Sequence, residues 1–150
     1  MAVTSAFSTI TSSIAALPIS GVTIKDTDEI PQSANMILPV MFPRPNDFVT
    51  DFSQEFVSFG SNTGAKINFE YTLNYVFLFV EVGGAISTFD IYGGLMQKLS
   101  AILVAFASND AIAGLVDLQT SSIQMGTLEG PNGQQYWGIL FGLKVLEHAQ

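Results

Sequence analysis

The chain reads as an α+β domain: a mostly antiparallel sheet with an N-terminal helix and one central helix packed on it. Three features of the sequence carry that expectation. An amphipathic repeat opens the chain, a long run of period-two alternation fills 67–82, and a helical-period segment at 88–107 separates that run from a closing pair of strands. At 150 residues the chain suits one domain with a core large enough to need no staples, and no repeat, low-complexity stretch or linker divides it.

The first helix rests on Val3, Phe7, Ile10, Ile14 and Leu17, spaced by fours and threes among Ser and Thr, and it should end before Pro18. Gly21 then leads into a short β-branched strand, Val22-Thr23-Ile24, followed by a polar loop over 25–33. Residues 35–42 (NMILPVMF) read as a second strand with Pro39 inside it. A proline removes a ladder donor, so this strand is expected at an edge or with a bulge.

The segment Pro43-Arg44-Pro45-Asn46-Asp47 must turn or extend. Beyond it, 48–53 reads as irregular, 54–59 as strand and 60–64 as a hairpin tip. In 67–82 the set Ile67, Phe69, Tyr71, Leu73, Tyr75, Phe77, Phe79 alternates first with Asn68, Glu70, Thr72, Asn74 and then with Val76, Leu78, Val80. One face is apolar throughout and the other becomes apolar halfway along, which implies a second half covered on both sides.

Gly83-Gly84 end that strand, and Ser87 or Thr88 can cap a helix whose apolar positions are Phe89, Tyr92, Leu95, Met96, Leu99, Ile102, Leu103 and Phe106. It should lie across the sheet, with Asp90, Gln97, Lys98 and Ser100 facing water. Strands at 116–127 and 135–146 close the chain around Glu129-Gly130-Pro131-Asn132-Gly133. In the last strand Trp137, Ile139, Phe141, Leu143 and Val145 share one face. The opposite face carries Gly138 and Gly142, a shallow groove where another backbone or helix can approach, with Lys144 beside it.

Composition narrows the function. The chain is 48% hydrophobic with net charge −8, one His and no Cys, and its mean hydropathy is +0.40. Zero Cys excludes a disulfide framework, thiolate zinc and a cysteine nucleophile. Lys25, Arg44, Lys66, Lys98 and Lys144 are scattered singly, too sparse to neutralise a run of phosphates, so tight nucleic-acid binding is not expected. The N-terminus lacks the basic start of a signal peptide, which makes cytoplasmic synthesis the expectation. Unbroken apolar runs such as Tyr75 to Val80 are far short of the ~20 residues of a membrane helix, which favours a soluble chain with no membrane partner.

No constellation states a chemistry. His148 stands alone two residues from the C-terminus, with only Glu147 as a sequence neighbour, and reads as an exposed tail residue rather than a base. Asp26, Asp28 and Glu29 cluster without the ligand series of a calcium loop and read as a solvated acidic loop, at most a contact for a basic partner. Gly83-Gly84 and Gly93-Gly94 form no phosphate-binding loop. Gly93 and Gly94, inside the second helix, mark either close packing on the sheet or contact with a neighbouring subunit. The aromatic face of 67–82 reads as core sooner than as a ligand pocket. No cofactor and no metal is expected, and the apolar surplus points to association with other chains.

The element order resembles that of the tail terminator proteins of long-tailed bacteriophages. The resemblance runs over nearly the whole chain: the helix at 3–17, the short strand at 22–24, LPVMFPRP at 38–45, INFEYTLNYVFLFVEV at 67–82, the helix at 88–107 and YWGILFGLKVLEHA at 136–149. It implies a homohexameric ring, not an enzyme, that caps the tail tube, stops its elongation and meets the head-completion proteins at the neck of the virion. Genomic DNA would pass through the channel without specific binding. Gly138, Gly142, Lys144, Gly93, Gly94, Asp26, Asp28 and Glu29 are the candidate contact residues. The alternatives are a tail-tube or head-closure subunit, with 43–66 as a possible inter-ring loop, and a small-ligand-binding α+β dimer using the aromatic sheet face.

Overall fold

The computed structural model describes residues 3–17, 19, 21–26, 38–45, 47–56, 67–83, 88–108, 116–130 and 133–149. Within them two helices pack on one face of a six-stranded sheet. The elements are α1 (Val3–Ala15), β1 (Thr23–Ile24), β2 (Val40–Pro43), β3 (Val49–Phe56), β4 (Ile67–Glu81), α2 (Thr88–Ser108), β5 (Val116–Glu129) and β6 (Gln135–Ala149). The strands run in the order β1-β2-β4-β6-β5, with β3 also paired to β4. Every pairing is antiparallel except β1 with β2. The fold is α+β.

β4 and β6 are the spine. They pair from Ile67↔Ala149 to Glu81↔Tyr136, with one irregularity between Leu78 and Val80. The face made by Tyr71, Leu73, Tyr75 and Phe77 with Ile139, Phe141, Leu143 and Val145 is buried beneath Ile10, Ile14 and Leu17 from the N-terminal segment and Ile91, Leu95, Leu99, Ile102 and Phe106 of α2. The five α2 side chains alone remove enough apolar surface to contribute on the order of 10 kcal/mol gross. The aromatic face is therefore core. Its rings stack within it, Tyr75 on Phe141 with centroids 6.0 Å apart and Phe48 edge-on to Tyr75 at 5.3 Å.

The other sheet face divides as the alternation in β4 implied. Val76 and Leu78 join Val40, Phe42 and Tyr136 in a second buried cluster, whereas Glu70, Thr72 and Asn74 remain partly exposed. Lys144 of β6 reaches across to Glu70, Nζ to Oε1 2.7 Å. Both side chains are more than a third exposed, so the pair contributes at most about 1 kcal/mol.

Three sequence expectations change. Pro39 precedes β2 instead of interrupting it: its carbonyl accepts from Thr23 N at 3.1 Å, and β2 lies inside the sheet between β1 and β4. Residues 35–37 and 57–66, which take in the rest of the expected second strand, the end of the third and the hairpin tip, lie outside the described residues. β3 starts at Val49, within the stretch expected to be irregular, because a bulge hides its alternation. Thr50 pairs with Thr72 and Ser53 with Glu70, leaving one extra residue on β3, where Asp51 takes φ +55°. His148 belongs to β6, opposite Asn68, and is not a free tail residue.

Candidate functional site

Asn74 organises the corner between β2 and β3, which lie in line along one edge of β4. Its carbonyl accepts from Arg44 N at 2.9 Å and its N–H donates to Phe48 O at 2.8 Å. Its side-chain Nδ2 donates to Asp47 O at 3.0 Å and to Thr50 Oγ1 at 2.8 Å. One amide thus satisfies the connector that cannot join a ladder, and Arg44 Nε lies 3.0 Å from Asp47 Oδ1 at its rim. This corner walls a cleft of about 480 Å³ on the second sheet face, with Phe42, Val76, Leu128 and Leu140 as its floor and Glu129 opposite. That volume falls within the range of small-molecule sites. A second cleft, of about 650 Å³, lies beside Leu38, Pro39, Phe79 and Val80, and a ligand-binding reading has to use one of these two among the described residues, since the aromatic face is filled.

On the helix side, Tyr75 is buried, and burial pushes its phenol above the ordinary tyrosine range, with the negative charge of Asp26 adding to the effect. Asp26 also lies 3.4 Å from Ser12 Oγ of α1. This contact links the first loop to the helix. Asp28 and Glu29 lie outside the described residues.

The glycines separate by environment. Gly94 faces the sheet: a Cβ there would come 2.5 Å from Phe79 Cζ and 2.7 Å from Cε2. Close packing on the sheet therefore explains Gly94. Gly93, one residue earlier, would set a Cβ in open space. At Gly138 a backbone does approach closely, but it belongs to the adjacent strand: a Cβ would collide with the Phe77 carbonyl oxygen and meet Leu128 Cδ1 at 3.0 Å. Gly142 is buried, in register with Asn74 on one side and Gln119 on the other. The space at Gly138 is thus taken up within the chain, Leu140 beside it borders the cleft on that face, and Lys144 faces Glu70 of the same chain.

The surface that composition alone did not locate is the outer side of α2. Phe89 is 85% exposed, Met96 58% and Val104 60%, with Tyr92 and Leu103 partly exposed along the same stripe. The helix is apolar on both sides, so spacing did not choose which side faces inward. The inner stripe is Ile91, Leu95, Leu99, Ile102 and Phe106, four or three apart. Of the eight apolar positions read from the helical spacing, Leu95, Leu99, Ile102 and Phe106 are buried, while Phe89, Tyr92, Met96 and Leu103 are exposed. The segment Phe89–Phe106 is also long and apolar enough to cross a membrane by length and composition, a property missed by counting unbroken apolar runs because Asp90, Gln97 and Lys98 interrupt it. A second exposed apolar patch lies on β3, where Val49 is 43% and Phe52 52% exposed.

No family model matches the chain, and no curated protein matches it.

Proposed function

We propose that this chain is a structural virion protein, a tail terminator of a long-tailed phage. Six copies form a ring that caps the tail tube, ends its elongation and joins it to the head-completion complex. The observation that carries the reading is the outer face of α2, with Phe89, Met96 and Val104 more than half exposed on a helix whose opposite side is already core. A row of large apolar side chains left in water marks an interaction surface rather than a catalytic one. The order and lengths of the elements support the same reading. So does charge: six copies at −8 each surround a channel that repels DNA phosphates, as free passage of a genome requires.

Electron microscopy of the purified protein tests this. Six-fold rings with an open centre, and weak binding to duplex DNA even at low salt, are the expected results. Tight DNA binding or an absence of rings contradicts it. A small-ligand binder using the cleft bounded by Phe42, Arg44 and Leu140 is the second reading; it predicts saturable ligand uptake and a dimer.

A further inference from the structure

The helices take one face of the sheet, and the other face carries its own apolar row. Phe42 of β2 is in register with Val76 of β4, and Val76 with Leu140 of β6. Along β6 the neighbours of Leu140 on that face are Gly138 and Gly142, so no side chain of its own strand covers it. Leu140 stays partly exposed. Leu128 bounds the row from β5, its Cδ1 3.0 Å from where a Cβ of Gly138 would stand. This row is the floor of the cleft of about 480 Å³.

The walls of the cleft are charged and held in place. Asn74 fixes the main chain of both residues of one wall, accepting from Arg44 N and donating to Asp47 O, so that wall is formed before any ligand arrives. Arg44 Nε lies 3.0 Å from Asp47 Oδ1. Its N–H is not aimed at that oxygen, which is buried with no hydrogen-bond partner, so the two are joined by charge alone. On the opposite wall Glu129 is exposed and makes no ion pair or hydrogen bond through its side chain with any described residue. The lining therefore holds one cation and two carboxylates, a surplus of negative charge in a chain whose net charge is already −8.

We infer that, if this cleft takes a small ligand, as the second reading above holds, the ligand is an organic cation: an amine or guanidine head directed to Glu129 and an apolar body lying on Phe42, Val76 and Leu140. An anion would face Glu129 uncompensated and find Arg44 already paired with Asp47. A neutral apolar molecule would gain the floor and nothing from the walls. The second cleft is the poorer site for a cation, because Glu81 is its one charged lining residue among those described and no paired wall stands opposite.

Saturation-transfer NMR detects the ligand and works at any assembly size. Phenethylamine, phenylpropionate and phenylethanol present similar apolar bodies with a positive, a negative and no charge. Phenethylamine is expected to bind about ten-fold more tightly than phenylpropionate, in the millimolar range of so small a probe. Glu129→Gln should weaken the amine about three-fold, and Arg44→Gln, which leaves Asp47 uncompensated, should tighten it by about the same factor. Glu81→Gln should leave it unchanged. Phenylpropionate or phenylethanol binding as tightly as the amine overturns the cation while leaving a small-ligand cleft. Amine binding that ignores Glu129→Gln overturns it as well, and sensitivity to Glu81→Gln instead moves the ligand to the second cleft. No uptake of any of these probes overturns both the cation and the small-ligand reading.

Discussion

Gly94 of α2 lies directly over the ring of Phe79 in β4, so close that a Cβ would come within 2.5 Å of Cζ. This contact fixes the rotation of the helix on the sheet. With Gly94 inward, Ile91, Leu95 and Ile102 enter the core, and Phe89 and Met96 turn to solvent. Gly94→Ala should therefore destabilise the fold by about 1–3 kcal/mol, because the helix must lift or the ring must shift. Gly93→Ala, with open space around it, should stabilise by about 0.5–1 kcal/mol through helix propensity. Urea midpoints of the two variants, moving in opposite directions, check the orientation of α2.

Asn74→Ala removes the donors to Asp47 O and Thr50 Oγ1 and should cost about 2 kcal/mol. Asn74→Asp should cost more, since a carboxylate would face the Asp47 carbonyl with no proton to give. Equal stabilities for Asn74→Asp and wild type would contradict the corner geometry.

Gly142→Glu adds a side chain and a charge at a buried position of β6 beside Asn74, so it is expected to lower the stability of the fold itself, read as a fall in the urea midpoint. Gly138→Ala should do the same through the Phe77 carbonyl. Folded protein from Gly142→Glu that fails only in assembly would return that face to the interface.

Tyr75 gives a pH dependence. Its phenol is raised in the folded state by burial and by Asp26, so the native state holds the proton more tightly than the unfolded chain does. The contribution is fully present below the unfolded value of about 10 and is lost as pH rises above it, at up to about 1.4 kcal/mol per pH unit. Urea stability measured at pH 8 and pH 11 should fall steeply for wild type and less for Tyr75→Phe, which keeps the stacking on Phe141. Identical alkaline losses for both proteins would exclude Tyr75 as a source.

The legible and illegible parts of this fold divide on physical grounds. β4 was readable to its internal change of character because period two is a local property, and Val76 and Leu78 fill a second core where the alternation indicated. The start of β3 was hidden because the bulge at Asp51 shifts Phe52 out of phase with Val49, and a bulge is set by pairing with β4, not by the strand's own sequence. The inner face of α2 was unreadable because both sides are apolar. Gly93 and Gly94 look alike in sequence and differ only in what lies beneath them. Gly138 looked like room for a partner, yet the space is taken by the backbone of Phe77.

The mass of the assembly tests the central claim most directly. Sedimentation equilibrium of wild-type protein and of a Phe89→Asp, Met96→Asp variant separates assembly from folding, because both side chains point away from the core. Six times the 16.1 kDa chain mass for wild type, with a folded single-chain mass for the variant, is the predicted result. A wild-type protein that stays at one chain mass at every concentration, or a variant that still forms six-chain rings, contradicts it.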